Sequence, residues 1–191
     1  MQVLCAGDRP AVPWKNGGGL TREIAAWPAG SSLEDFDWRV SMAEVRADGP
    51  FSVFPGVDRV LAVLEGRLRL AVEGRTAVTL TPDDAPAAFP GDVAVHALVE
   101  AGPVLDLNVM SRRGRVRVRL DRVDILAPQI VGPWTSTVLV IAANGPLRVV
   151  GLAERCDLER HDAVLIAPGG EGLLLEATAP ALAYVASLDA A

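Results

Sequence analysis

An all-β fold is predicted for this chain by three features. Its apolar segments are short, roughly four to eight residues each. Turn residues separate them at roughly 8 to 12 residue spacing, and no stretch of about 12 residues carries a helical 3.6 period. The punctuation comes from 18 Gly and 14 Pro scattered along 191 residues.

Taken in order, Trp38, Val40 and Met42 alternate with Arg39, Ser41 and Ala43, as a strand with one buried face does. Leu68, Leu70 and Val72 alternate with Arg67, Arg69 and Ala71 before Gly74 ends the segment. Val116, Val118 and Leu120 do the same against Arg115, Arg117 and Arg119. Residues 138–142, 147–150, 164–166, 173–175 and 182–185 are unbroken apolar runs, the pattern of strands covered on both faces. Residues 152–158 read as a single helical turn or a loop. A faint echo links the halves: an apolar strand pair, then an Asp-containing step at Asp92 and again at Asp162 leading into another strand. It fits two small barrels, residues 1–120 and 121–191, with exchange of strands between them left open. Pro128, Gly132 and Pro133 interrupt the pattern in a boundary stretch from Asp121 to Trp134.

Composition narrows the function. Half of the chain is apolar and its net charge is −6, from 18 Lys plus Arg against 24 Asp plus Glu. That is too apolar for disorder, and the acidic balance argues against a nucleic-acid surface. No run approaches the roughly 18 to 20 apolar residues of a membrane helix. MQVLCAGDRP at the start lacks a secretory pattern, so a cytoplasmic protein without membrane partners is expected. Cys5 and Cys156 read as lone thiols, and His96 and His161 are too few for a three-histidine metal site. No metal or other cofactor is expected.

Several stretches carry possible chemistry. Gly17, Gly18 and Gly19 are flanked by Lys15 and Asn16 before and by Thr21 and Arg22 after. Such a loop either cradles an anion with its N–H groups or is a plain tight turn. It lacks the residue order of a nucleotide-binding loop, and no helical pattern follows. Six arginines between Arg112 and Arg122 alternate with apolar residues and no aromatics, which favours the solvated face of an edge strand over direct nucleic-acid contact. His161 and Asp162 are adjacent; on a regular strand they would point to opposite faces, so both read as structural.

Residues 60–70, VLAVLEGRLRL, followed by Pro90-Gly91-Asp92, resemble the cupin pattern. Residues 13–25 (PWKNGGGLTREIA), 36–43 (FDWRVSMA), 51–59 (FSVFPGVDR) and 106–114 (DLNVMSRRG) together resemble the HutD/Ves family of that superfamily. The resemblance is specific over residues 13–114 and looser beyond. It implies a bicupin, two jelly-roll-type barrels, associated with bacterial histidine utilisation. Its members are thought to bind a small pathway molecule such as urocanate or formylglutamate and to restrain the pathway.

In metal-binding cupins the pattern G-x5-H-x-H-x3/4-E-x6-G supplies the ligands. Counted from Gly66 and Gly91, those positions hold Ser52 and Phe54 (or Val53 and Pro55), Arg59 and Gly102. An arginine in place of a carboxylate reverses the polarity of the pocket and can hold a ligand carboxylate by two hydrogen bonds. The alternative is a salt bridge closing a barrel end. Arg39 and Ser41 share one strand face, as do Asp106, Asn108 and Met110. Alternation alone leaves that face either inward or solvated, and the family pattern turns it inward. The resemblance therefore implies a ligand site of Lys15, Asn16, Thr21, Arg22, Arg39, Ser41, Arg59, Asn108 and Met110. The expected function is non-enzymatic binding of a small carboxylate metabolite, with a homodimer compatible. The alternative is a metal-independent isomerase or hydrolase of a small organic acid.

Overall fold

The computed structural model describes all 191 residues, and nearly every regular element in it is a strand. Apart from one 3-10 turn at Ala6–Asp8 there is no helix, and none is long and apolar enough to cross a membrane. The chain divides into two compact units, Pro10–Val116, and Met1–Arg9 together with Arg117–Ala191.

The chain opens with β1 (Gln2–Leu4), which belongs to the second unit. The first unit then runs β2 (Val12–Pro13), β3 (Gly19–Trp27), β4 (Trp38–Val45), β5 (Gly49–Pro50) and β6 (Val57–Glu65). It continues through β7 (Leu68–Val72), β8 (Val78–Leu80), β9 (Ala87–Pro90), β10 (Val95–Val99) and β11 (Val104–Arg112). These form a six-stranded sheet, β2-β3-β4-β11-β6-β9, and a four-stranded sheet, β5-β10-β7-β8. Val45, Leu61, Val63, Phe89 and Val104 from the larger sheet meet Leu68, Leu70, Val72, Leu80, Val95 and Ala97 from the smaller one in a single core. Full burial of each such side chain is worth about 1.5–3 kcal/mol, which fixes the inward face of every strand.

The second unit comprises β12 (Val116–Ile125), β13 (Gln129–Val131), β14 (Thr137–Ala142) and β15 (Leu147–Val150). It ends with β16 (Arg155–Leu158), β17 (Ala163–Ile166), β18 (Leu173–Glu176) and β19 (Ala181–Ala190). The five-stranded sheet β1-β17-β14-β19-β12 faces the four-stranded sheet β13-β18-β15-β16 across Val138, Val140, Leu147, Val149, Val164, Leu175 and Val185. The first strand is lent by the N-terminus, pairing Gln2 with Leu165 and Leu4 with Ala163.

Several details differ from the sequence expectations. The division between units falls at the start of β12, which runs as one strand from Val116 to Ile125; a boundary at 120/121 would cut it. Of the apolar runs, 138–142 and 182–185 are buried on both faces, but 147–150 and 173–175 bury one face only. They lie in the four-stranded sheet, where Arg148 is exposed and Val150 and Leu174 are half-buried. Residues 155–158 form a strand, not a helical turn: Cys156 and Leu158 turn inward while β16 pairs with β15. β12 is an edge strand with Arg117 and Arg119 exposed.

His161 and Asp162 occupy a turn with His161 at φ 70°, not a strand. The Asp162 carboxylate accepts the Ala6 amide at 2.6 Å and the Glu159 amide at 3.0 Å, so it ties the N-terminal segment to the β16–β17 turn.

Candidate functional site

The register of the six-stranded sheet builds three rows on its inward face. Thr21, Ala43, Asp106 and Val63 form the first, and Glu23, Ser41, Asn108 and Leu61 the second. Arg39, Met110, Arg59 and Phe89 form the third. Leu61, Val63 and Phe89 belong to the core shared with the opposite sheet, so these rows line the lumen of the first unit. The lumen is thus polar along β3, β4 and β11 and at Arg59 of β6, and apolar along the rest of β6 and along β7 and β10.

Arg59 is only 6% exposed, yet no carboxylate pairs with it and its Nε has no hydrogen-bond partner. Its guanidinium carbon lies 4.9 Å from the Phe51 ring centre, 5.1 Å from Phe89 and 5.7 Å from Phe54. The ring quadrupoles stabilise the charge while accepting none of its in-plane N–H bonds. Burial draws the guanidinium down to about 10, opposed by Asp106 and reinforced by Arg39, and it stays cationic at neutral pH. The side-chain stem is gripped from behind. A Cβ at Gly91 would stand 2.9 Å from the Val57 carbonyl oxygen and 3.5 Å from Arg59 Cδ, so only glycine lets the Pro90-Gly91-Asp92 turn cross there. The salt-bridge alternative for Arg59 is replaced by this aromatic cage. The neighbouring Asp58 instead faces outward and shares Arg113 with Asp92, at 2.7 and 2.9 Å.

Asp106 is 2% exposed, and its Oδ1 has no partner. Burial pushes its carboxyl up to about 7, against the pull of Arg59. Asn108 is buried in the next row with its Oδ1 also unpartnered. Beside it the Arg39 Nε donates to Glu23 at 2.7 Å, and Nη1 reaches Ser41 Oγ at a long 3.4 Å. Buried polar atoms are nearly always satisfied. Three that are not, on one face of one lumen, are groups a bound polar molecule can satisfy.

The fold therefore brings together Arg39, Ser41, Arg59, Asn108 and Met110 of the residues expected from sequence. Thr21 shares the face, but its Oγ1 accepts the Trp14 indole N–H at 2.8 Å. Arg22 lies opposite Met42 and projects from the other face. Lys15 and Asn16 are exposed at the tip of the β2–β3 turn. That turn is anchored where Gly19 pairs with Val45, six residues along β4 from Arg39 in the Arg59 row, or about 20 Å at ~3.3 Å per residue. The glycines there serve close packing: a Cβ at Gly19 would meet the Glu44 carbonyl at 2.4 Å and the Trp14 ring at 3.2 Å. Asn16 Oδ1 is occupied by the Gly18 amide at 3.0 Å.

Alternation along β11 places Asp106 on this face without assigning it a role, and no sequence pattern marks Glu23 or the turn of the three phenylalanines toward Arg59. Period-two alternation flags Asp106. The convergence of Phe51, Phe54 and Phe89, on a loop and a distant strand, leaves no such trace.

A divalent metal does not fit the donors present. The positions that would hold its ligands carry exposed Ser52, exposed Gly102 and the cationic Arg59, while Phe54 turns its ring to Arg59. Two clefts lie elsewhere. One of about 340 Å³ runs along Pro50, Phe51, Val72 and His96, and one of about 590 Å³ in the second unit runs along Arg119, Asp121, Trp134, Ser136 and Asp189. Neither contains Arg59, Asp106 or Asn108; the lumen is singled out by its chemistry, not its volume.

Comparison with known proteins agrees in fold and sequence. A model of the HutD family matches residues 6–184. A Pseudomonas putida protein described as an uncharacterized 21.2 kDa protein in the hutC 3' region is 37% identical over 175 residues, 86% of this chain and 90% of that one. Protein Ves of Citrobacter koseri is 41% identical over 122 residues, 63% of this chain and 62% of its own length. The solved structure of HutD from Pseudomonas fluorescens SBW25 superposes with a TM-score of 0.83 at 32% identity, covering 100% of this chain and 98% of that one. A Cupin 2 conserved barrel domain protein from Leptotrichia buccalis superposes at 0.61 with 8% identity, over 93% of this chain and 92% of its own, a likeness of fold alone.

Proposed function

The chain belongs to the HutD family, and on that premise we propose that it binds a small carboxylate metabolite in the lumen of its Pro10–Val116 unit. The family is linked to the histidine-utilisation locus through relatives such as the Pseudomonas putida protein of the hutC 3' region. One observation carries the proposal: a buried guanidinium that has no acid partner and is held among three phenyl rings. The rings stabilise the charge of Arg59 without accepting its in-plane N–H bonds, which suits a planar, bidentate acceptor, the geometry of a carboxylate. Ser41 and Asn108 orient the rest of the molecule by hydrogen bonds, and Met110 supplies an apolar floor between Arg39 and Arg59.

In this reading the ligand is an acid of the pathway, such as urocanate or formylglutamate. The protein restrains histidine utilisation by responding to that acid without transforming it. Calorimetric titration with both acids tests the site: saturable binding by the wild type and its loss in Arg59→Met support it, and an unchanged affinity in the variant refutes it.

A second reading, a metal-independent isomerase or hydrolase, is favoured by one observation. Asp106 is a buried carboxyl near neutrality, the property of a general acid or base. Product formation on long incubation with the bound acid, lost in Asp106→Asn, would select that reading; recovery of the acid unchanged would reject it.

A further inference from the structure

The Asp106 carboxyl has little around it to stabilise a negative charge. Its cross-strand neighbours, Ala43 and Val63, offer no side-chain donor. The inward side chains of β7 and β10 are the apolar Leu68, Leu70, Val72, Val95 and Ala97. The charged groups of the lumen are Arg59 on β6, Arg39 on β4 and Glu23 on β3, and the last two pair with each other at 2.7 Å. Arg59 is thus the one cation left to favour the Asp106 anion, and it acts through space without an ion pair.

We propose that an anion held by Arg59 is bound together with one proton, which Asp106 takes up. The inference rests on the carboxylate-binding reading above. A ligand carboxylate on Arg59 cancels the charge that favours ionised Asp106 and brings a second anion into the same desolvated lumen. Repulsion between the two then shifts Asp106 to its neutral form. The balance is simple: anionic ligand plus Asp106 carboxylate plus one proton gives the complex with Asp106 as a carboxylic acid. No bond to carbon forms or breaks. The neutral acid also gains an O–H donor that the carboxylate lacks, which a second ligand oxygen can accept. The unliganded carboxyl already stands near 7, so the coupling operates across the neutral range.

The test is calorimetric titration of the full chain with formylglutamate, whose own carboxyls are ionised throughout pH 6.5–8.5, in two buffers of different ionisation enthalpy. The expected affinity is flat at the acid end and weakens about tenfold per pH unit at the alkaline end, with close to one proton taken up per ligand there. Asp106→Asn is expected to bind with no pH slope and no buffer dependence. Wild-type affinity that is flat from pH 6.5 to 8.5 with no proton uptake, together with loss of binding in Arg59→Met, overturns the linkage and leaves the carboxylate site standing. Proton uptake that persists in Asp106→Asn also overturns it. No binding of formylglutamate or urocanate by the wild type, or binding untouched by Arg59→Met, removes the site and the linkage with it. If the Asn variant does not fold, the two-buffer wild-type titration decides alone.

Discussion

Arg59 and Asp106 face one lumen, both almost fully buried, and do not pair. A stability-driven core would have joined them or replaced both with apolar residues, since an isolated buried charge costs far more than it returns. Keeping them apart leaves two polar ends in one lumen, with Asn108 in the row between.

Arg59→Met gives the first prediction. The substitution removes a buried charge and keeps an unbranched apolar stem, so the variant is expected to be at least as stable as the wild type in urea unfolding at pH 6 while losing ligand binding. A loss exceeding about 2 kcal/mol would make Arg59 a structural residue.

Asp106 predicts how stability depends on pH. Its folded pKa is raised to about 7 by burial, above the unfolded value of about 3.9. The folded state therefore binds the extra proton between these values, and stability falls as pH rises from about 4 to about 7, then levels. The loss attributable to this group is at most a few kcal/mol. Asp106→Asn is expected to flatten that slope when unfolding is measured at several pH values; an unchanged slope assigns it to other groups.

How much of this was visible beforehand differs by feature. Alternation on Trp38–Val45 and Val104–Arg112 shows which residues share a face, but both strands are buried on both faces, so burial marks neither face and only the family pattern turns Arg39, Ser41, Asp106 and Asn108 inward. The strand at Arg155–Leu158 was obscured by its polar, exposed positions, and the N-terminal strand by its long-range pairing with β17. In the site, the Arg59 position was legible from the motif count. The separation of Lys15 from it was not, because only strand register reveals that the glycine turn lies at the other end of β4. Phe51 and Phe54 stand in the same short stretch as Arg59, but loop residues carry no period to show that their rings turn to it, and Phe89 joins them from a separate strand.

Gly91 supports the geometry of Arg59 from outside the lumen. Gly91→Ala must displace the Val57 carbonyl, and overpacking of this kind costs about 1–3 kcal/mol. Ligand affinity is expected to fall with it, whereas Gly49→Ala, with nothing within 4 Å of the added carbon, leaves affinity unchanged. Thermal unfolding and titration of both variants check the contrast.

Asp162 is predicted to be structural. Asp162→Ala frees the amides of Ala6 and Glu159 and is expected to cost about 1–3 kcal/mol. Hydrogen exchange should quicken at both amides while ligand affinity holds. His161→Gly relieves the positive φ at that position and is expected to leave ligand affinity unchanged. Loss of ligand binding in either variant would argue for a functional pair.

The most direct measurement is titration of formylglutamate and urocanate into the wild type and into folded Arg59→Met at pH 6.5. The account predicts saturable binding of at least one acid, one molecule per chain, weakened about 100-fold or more without the guanidinium, as expected for loss of a charge-assisted bidentate contact worth about 3 kcal/mol. Equal affinity in the two proteins, or no binding of either acid by the wild type, would contradict it.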